Sequence, residues 1–331
     1  MRNHLLLASL LLATTGPAVR AQSLVVINQG TATASVIDAR TFAVIGQIDE
    51  HQPGHLHAHE VAVSPDGRTA YLPVYGDTGL GIPGADGHEL LFVDLPTRRV
   101  TGSVDFGHGV RPHLPQVDPA TGLVYVTTEL DNSVTLINPK TRAIIGSIPT
   151  GAANSHMLVL SHDGRFGYTA NVKPGSVSVL DLKQRKLLAV IPVTDTVQRI
   201  AISADDRLIF TSDNMVPRLA VMDTATRGVR EWIALPGLGH GAAATPDGRW
   251  LLVAMPALNQ VAVIDLTKRQ LTRTIAVGKA PQAVLIPPGQ KVAYVSCGGA
   301  GMVAAVDLGS WKVIRTVATA YGADGMAWAA R

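Results

Sequence analysis

The chain has 331 residues with 47% apolar and 16% charged side chains and a formal net charge of +3. That balance excludes a disordered or strongly basic protein. A single cysteine excludes an internal disulfide. Removing a leader that ends at Ala21 takes away two arginines, so the remainder is nearly neutral and carries no basic run of the kind that nucleic acid requires.

The first 21 residues read as a secretory signal peptide. Arg2 gives a positive start, Leu5 to Ala13 is apolar, and Val19-Arg20-Ala21 offers a cleavage site before Gln22. This leader is too short for a spanning helix, and no later stretch is apolar enough to cross a bilayer. The expectation is a periplasmic or secreted protein without a membrane span.

From residue 22 to 331 one phrase repeats, which predicts one domain. Its clearest copy runs from Ala243 to Pro281: an apolar run, an Asp-Gly turn, a second run, a polar loop, Val-x-Val-x-Asp, a turn and a final run. Four short strands in that order make a propeller blade. The Asp or Asn closing the third strand recurs as Asp38, Asp94, Asn138, Asp181, Asp223, Asp265 and Asp307, at intervals of 56 and 44 and then 43, 42, 42 and 42. The predicted fold is all-β: a seven-bladed propeller of four-stranded antiparallel blades.

In chain order, Leu24–Asn28, Ala34–Asp38 and Val44–Ile48 supply three strands of blade one, and Gly325–Ala329 supplies its missing inner strand. That pairing would close the ring and remove an open sheet edge. Blade two begins at Val61–Ser64 and continues with Thr69–Tyr75. The inner strands of blades three to seven are expected near Gln116, Val159, Ile200, Ala243 and Val284. The Asp, Gly and Pro residues of the intervening turns supply backbone geometry and carry no chemistry.

Val124-Tyr125-Val126-Thr127, Gly167-Tyr168-Thr169-Ala170-Asn171 and Ala293-Tyr294-Val295-Ser296 make the repeat resemble the YVTN-type propeller family that includes YncE-like periplasmic proteins. The likeness extends over essentially all of the chain after the leader. It implies the fold firmly and the function loosely, because relatives include lactonases, haem-binding domains of nitrite reductase, cell-surface proteins and binders of other kinds.

The extra residues of the first interval fall in two loops on one face, the top: Asp49–Glu60 and Gly76–Glu89. Such loops in a tight repeat are often functional. The residue ahead of each inner strand is polar in every blade: His59, His113, His156, Arg199, His240, Gln282 and Asp324. Inner strands surround the axis, so these side chains should ring the channel mouth. Four of the chain's 11 histidines stand there.

Such a ring could take a divalent transition metal through His59, His113 and His156, helped by Glu60 or Asp324. Alternatively, Arg111 and Arg199 could grip a small organic anion. The bland reading is hydrogen bonding to backbone and water. His55 and His57 alternate with His59 and would share its side of an extended segment, whereas His51 should be exposed.

At the ends of the second strands stand Asn28, Tyr75, Glu129, Asn171, Asp213 and Cys297. Glu129 is the best acid or base among them. With Glu60 and His156 it makes up the catalytic candidates. Asp77, Asp86, His88 and Glu89 read as solvated loop groups, and Cys297 as buried and inert. Motifs for covalent haem attachment, zinc peptidases, serine hydrolases and P-loops are absent.

The leading expectation is an exported propeller binding a small ligand or metal ion at the histidine ring. A lactonase-type hydrolase or isomerase using the same ring is the first alternative. A surface protein with a macromolecular partner is the second, and the near-neutral charge and scarce aromatics argue against nucleic acid as that partner.

Overall fold

The computed structural model describes residues 22–79 and 82–330, so the leader expected at 1–21 lies outside the described residues. Seven antiparallel sheets stand around a central axis. Six have four strands. Blade two has its inner strand split into His57–Ala58 and Ala62–Val63, both paired with Thr69–Gly76. The ring closes as expected: Ala323–Ala329 runs antiparallel to Ser23–Asn28, with Leu24 opposite Trp328 and Val26 opposite Met326. The first and last strands of the described residues are thereby joined in blade one.

Burial explains the apolar runs. Each sheet is covered on both faces by neighbouring blades, so middle strands such as Leu251–Met255 and Val261–Ile264 are buried at every residue. Outer strands face solvent and keep one deep anchor each: Ile48, Val104, Ile148, Ile191, Ile233, Ile275 and Val317. The recurring Asp is a turn device. The Asp38 carboxylate accepts the backbone N–H groups of Arg40 and Thr41 and the Thr41 hydroxyl, and Asp265 does the same for Lys268 and Thr267. Four residues after each of these Asp or Asn positions the chain enters the left-handed region, at Phe42, Arg98, Arg142, Arg185, Arg227, Arg269 and Trp311.

Two expectations about boundaries are corrected. The inner strands begin earlier, at Pro112, Ser155, Val197, Ala242 and Pro281. Most carry a β-bulge immediately after that start. A bulge breaks the period-two alternation, so the apolar pattern marks only the part of each strand beyond it. The loop read as Gly76–Glu89 is mostly a lengthened hairpin: the second strand of blade two extends to Gly76 and the third starts at Asp86. Among the described residues no helix is long and apolar enough to cross a membrane.

Candidate functional site at the channel mouth

The bulges explain why ring residues point to the axis. In blade three, Val126 faces Pro115 while Thr128 faces Pro112, so the stretch containing His113 has an extra residue. Blades four, five, seven and one repeat the device around His156, Arg199, Gln282 and Asp324. A bulge re-aims a side chain out of the pleat, here into the channel. Hydroxyls on the second strands satisfy the backbone groups it frees. The Thr127 hydroxyl accepts from the Leu114 N–H (3.0 Å) and donates to the His156 carbonyl (2.8 Å). The Thr211 hydroxyl donates to the Arg199 carbonyl, and Ser296 Oγ accepts from the Ala283 N–H.

Three ring histidines come together with a fourth. The His113 and His156 rings lie 3.7 Å apart, His59 meets His113 edge-on at 5.5 Å, and His57 stacks on His59 at 5.1 Å. Tyr75 fills the gap, 4.4 Å from His59 and 5.1 Å from His113. His57 Nε2 and His59 Nε2 are 3.3 Å apart, while His57 Nδ1 contacts the His55 carbonyl at 2.7 Å. His57 therefore belongs to the cluster, whereas His55 and His51 are exposed. Among the described residues, no three His, Cys, Asp or Glu side chains already surround one point as a metal site. The rings of His59, His113 and His156 pack edge-on and tilted against one another instead of converging.

Burial sets the charge state. Desolvation holds His59 and His113 well below the ordinary histidine range, helped by neighbouring histidines and by Arg199. His113 Nδ1 is buried without a hydrogen-bond partner. His156 is oriented by a carboxylate: its Nδ1 donates to Glu129 Oε1 (3.0 Å), and Gln198 Nε2 lies 3.2 Å from its Nε2. Glu129 Oε2 accepts from the Tyr75 hydroxyl at 2.6 Å. The Tyr75 phenol is pushed above its usual range by burial and by the Glu129 charge. Glu129 and Tyr75 thus face the site. Asn28 and Asn171 serve their own hairpins, and Asp213 caps a loop and pairs with Arg218. Cys297 is buried and its thiol is pushed up to about 11 by desolvation, so it is inert.

Both arginines expected to grip an anion are already bonded inside the protein. Arg199, buried at the axis, is bonded to Glu60 and to Asp324 Oδ1 (3.0 Å), which joins blades five, two and one. Arg111 is bonded to Asp86, to the carbonyls of Gly79 and Ile82 and to the Thr78 hydroxyl, pinning the long hairpin of blade two. Asp86, itself exposed, is held in place by that pairing. His88 pairs with Asp105, and Glu89 accepts from Ser103. Glu60, a catalytic candidate from the sequence, is held by Arg199. Burial raises its carboxyl and that of Asp324 against the pull of the guanidinium. His240 stands apart, with Nδ1 on the Gln282 carbonyl (3.1 Å) and its ionisation pushed down to about 3 by desolvation.

With this geometry in hand, comparisons with known proteins become informative. A model of the cytochrome D1 heme domain matches residues 119–236, from the first turn of blade three to the end of blade five. Hydrazine synthase from Kuenenia stuttgartiensis superimposes with a TM-score of 0.71 at 19% identity, covering 83% of this chain and 90% of that one. Dihydro-heme d1 dehydrogenase NirN in complex with DHE gives 0.65 at 14% identity, covering 92% and 74%. The resemblance to nitrite-reductase-type haem-domain propellers holds. At these identities the structural likeness establishes the propeller fold alone. No curated protein matches the chain. The matched segment contains Glu129, His156 and Arg199 but neither the His57–His59 pair nor His240, so most of the ring lies outside it.

Proposed function

We propose that the chain is an exported propeller that binds a divalent transition-metal ion of the zinc type at the top-face histidine cluster. The observation that carries this reading is the 3.3 Å separation of His57 Nε2 and His59 Nε2. Two imidazole nitrogens on one tetrahedral zinc, each bonded at about 2.0–2.1 Å, stand about 3.3–3.4 Å apart. His57 donates its Nδ1 proton to a carbonyl, which leaves the Nε2 lone pair for a metal. Burial keeps His59 and His113 neutral, the form that ligates.

The unpartnered His113 Nδ1 and the carboxylate-oriented His156 are the neighbours that side-chain rotation would bring in as further ligands. Without metal, the close His57–His59 contact needs a proton between the two nitrogens. Metal binding needs both Nε2 lone pairs, so that proton has to move to the other ring nitrogen of the same neutral imidazole. An open coordination position is also what the lactonase-type alternative would need.

A haem-type ligand is the second reading, favoured by the family match and the NirN likeness. The donor set fits it poorly. Both buried guanidiniums are already paired, leaving neither for the acidic side chains of such a macrocycle, and the packed rings of His59, Tyr75, His113 and His156 occupy the mouth.

The test is elemental analysis and an absorbance spectrum of untagged protein recovered from an export compartment, then calorimetric titration of the stripped protein with Zn²⁺. One bound metal, lost in the His57→Ala/His59→Ala double variant, is the expected result. No metal and no Zn²⁺ uptake by the folded protein would overturn the reading, and a porphyrin-type absorption band would favour the second.

A further inference from the structure

Beside the histidine cluster, between blades seven and one, the top face holds a cavity of about 370 Å³. Its size suits a small organic molecule. Gln29, Gln282, Asp324, His57 and Tyr321 line it over a glycine floor. At Gly298 a Cβ would meet the Ala323 carbonyl at 3.1 Å and Gln282 Cγ at 3.4 Å, so the missing side chain is part of what leaves the room.

The backbone donors around this cavity are committed. The N–H of Gln29 goes to the Gly322 carbonyl, that of Gly30 to Tyr321, that of Gly298 to Ala280 and that of Gly322 to Gly298. Such backbone donors are what an anion would need, and all four are used. Gln29 Nε2 donates to Asp324 Oδ2, and Gln282 Nε2 donates to the Ala280 carbonyl (3.3 Å). A carboxylate and a carbonyl only accept, so both amides are fixed in orientation, each with one Nε2 hydrogen committed and with Oε1 and the second Nε2 hydrogen left over. What the cavity offers a ligand is therefore two oriented amides, whose oxygens are free to accept, beside the Asp324 carboxylate. Asp324 and Glu60 share one guanidinium, so no second cation in that cluster competes for the Asp324 carboxylate. Tyr321, 66% exposed, adds an aromatic face at the rim, where a cation is attracted.

We infer that this cavity is a binding site for a small organic cation carrying a protonated amine. The inference goes beyond the metal reading and does not depend on it.

The experiment uses chelator-stripped full-length protein and two probes of similar length and opposite charge, 1,4-diaminobutane and succinate, titrated by calorimetry. The diamine should bind and succinate should not. Tyr321→Ala should weaken the diamine about two- to five-fold, the range of an exposed cation–π contact, and Gln282→Leu should weaken it further. Both positions are partly or largely exposed, so the variants should keep the parent melting temperature. Absence of diamine binding, preference for succinate, or binding unchanged in the folded double variant would overturn the site. Because the protein is metal-free throughout, none of these outcomes bears on Zn²⁺ uptake.

Discussion

Glu50 is the residue whose environment most contradicts its chemistry. It is buried, one oxygen accepts the Ala58 N–H at 2.8 Å, and the other has no partner. Burial pushes its carboxyl up to about 7, with Asp49 adding to the effect and the Ala58 N–H opposing it. An acid raised on folding favours the folded state fully below its unfolded value, near 4.5, and that contribution is lost as pH climbs to about 7. Over that window the loss is on the order of 3 kcal/mol. Glu50→Gln should flatten this part of the stability–pH curve and make the variant the more stable protein at pH 8. Denaturant melts of both proteins at pH 4.5, 6 and 8 would check it, and parallel curves would refute it. Sequence alone gave no hint of this, since Glu50 stands in a loop of Asp, His and Gln where exposure is the natural assumption. The ring residues were legible because each blade has one equivalent position. Their pairing was not: Arg199 meets Glu60 across 139 positions, and no local pattern carries that contact.

At the scale of the element, the bulge is the device that matters. A strand with unbroken alternation would turn His113 or His156 into the wall between blades; the extra residue aims them at the axis. The sequence hid this because the bulge erases the alternation by which strands are recognised, which displaced the expected strand starts by a few residues. The neighbouring second strands did show the signal, as the Thr and Ser of the YVTN-like copies, but nothing in a single sequence says what those hydroxyls hold. Thr127 carries two bonds, one to blade three and one to blade four, on either side of the His113–His156 contact. Thr127→Val keeps the shape and leaves a buried N–H and a buried carbonyl without that partner. The expected cost is about 1–3 kcal/mol in urea melts, with weaker Zn²⁺ uptake because His156 loses its backbone tether. An unchanged melt would show that the bulge holds without the hydroxyl.

For the whole molecule, the arrangement to explain is a cation at the axis tied to blades on the far side. Neighbouring blades are joined by apolar packing and the ring is closed by the Ala323–Ala329 strand, so Arg199 is not needed to make a propeller. What it does is hold Glu60 and Asp324 next to the histidines without letting them repel each other. Arg199→Met fills similar space but leaves two buried carboxylates facing one another, and breaking a buried ion pair from one side typically costs about 3–5 kcal/mol. Both carboxyls are already raised by burial, and removing the guanidinium removes the influence that lowers them. Their penalty therefore falls as pH drops and they take up protons, so the variant should be least stable at alkaline pH and approach the parent under acid conditions. Adding Glu60→Gln and Asp324→Asn should restore much of the neutral-pH stability, since the triple variant buries no charge at this point. If Arg199→Met were equally destabilised at every pH, or the triple variant were no better than the single one, the cluster would be acting through packing and not through charge.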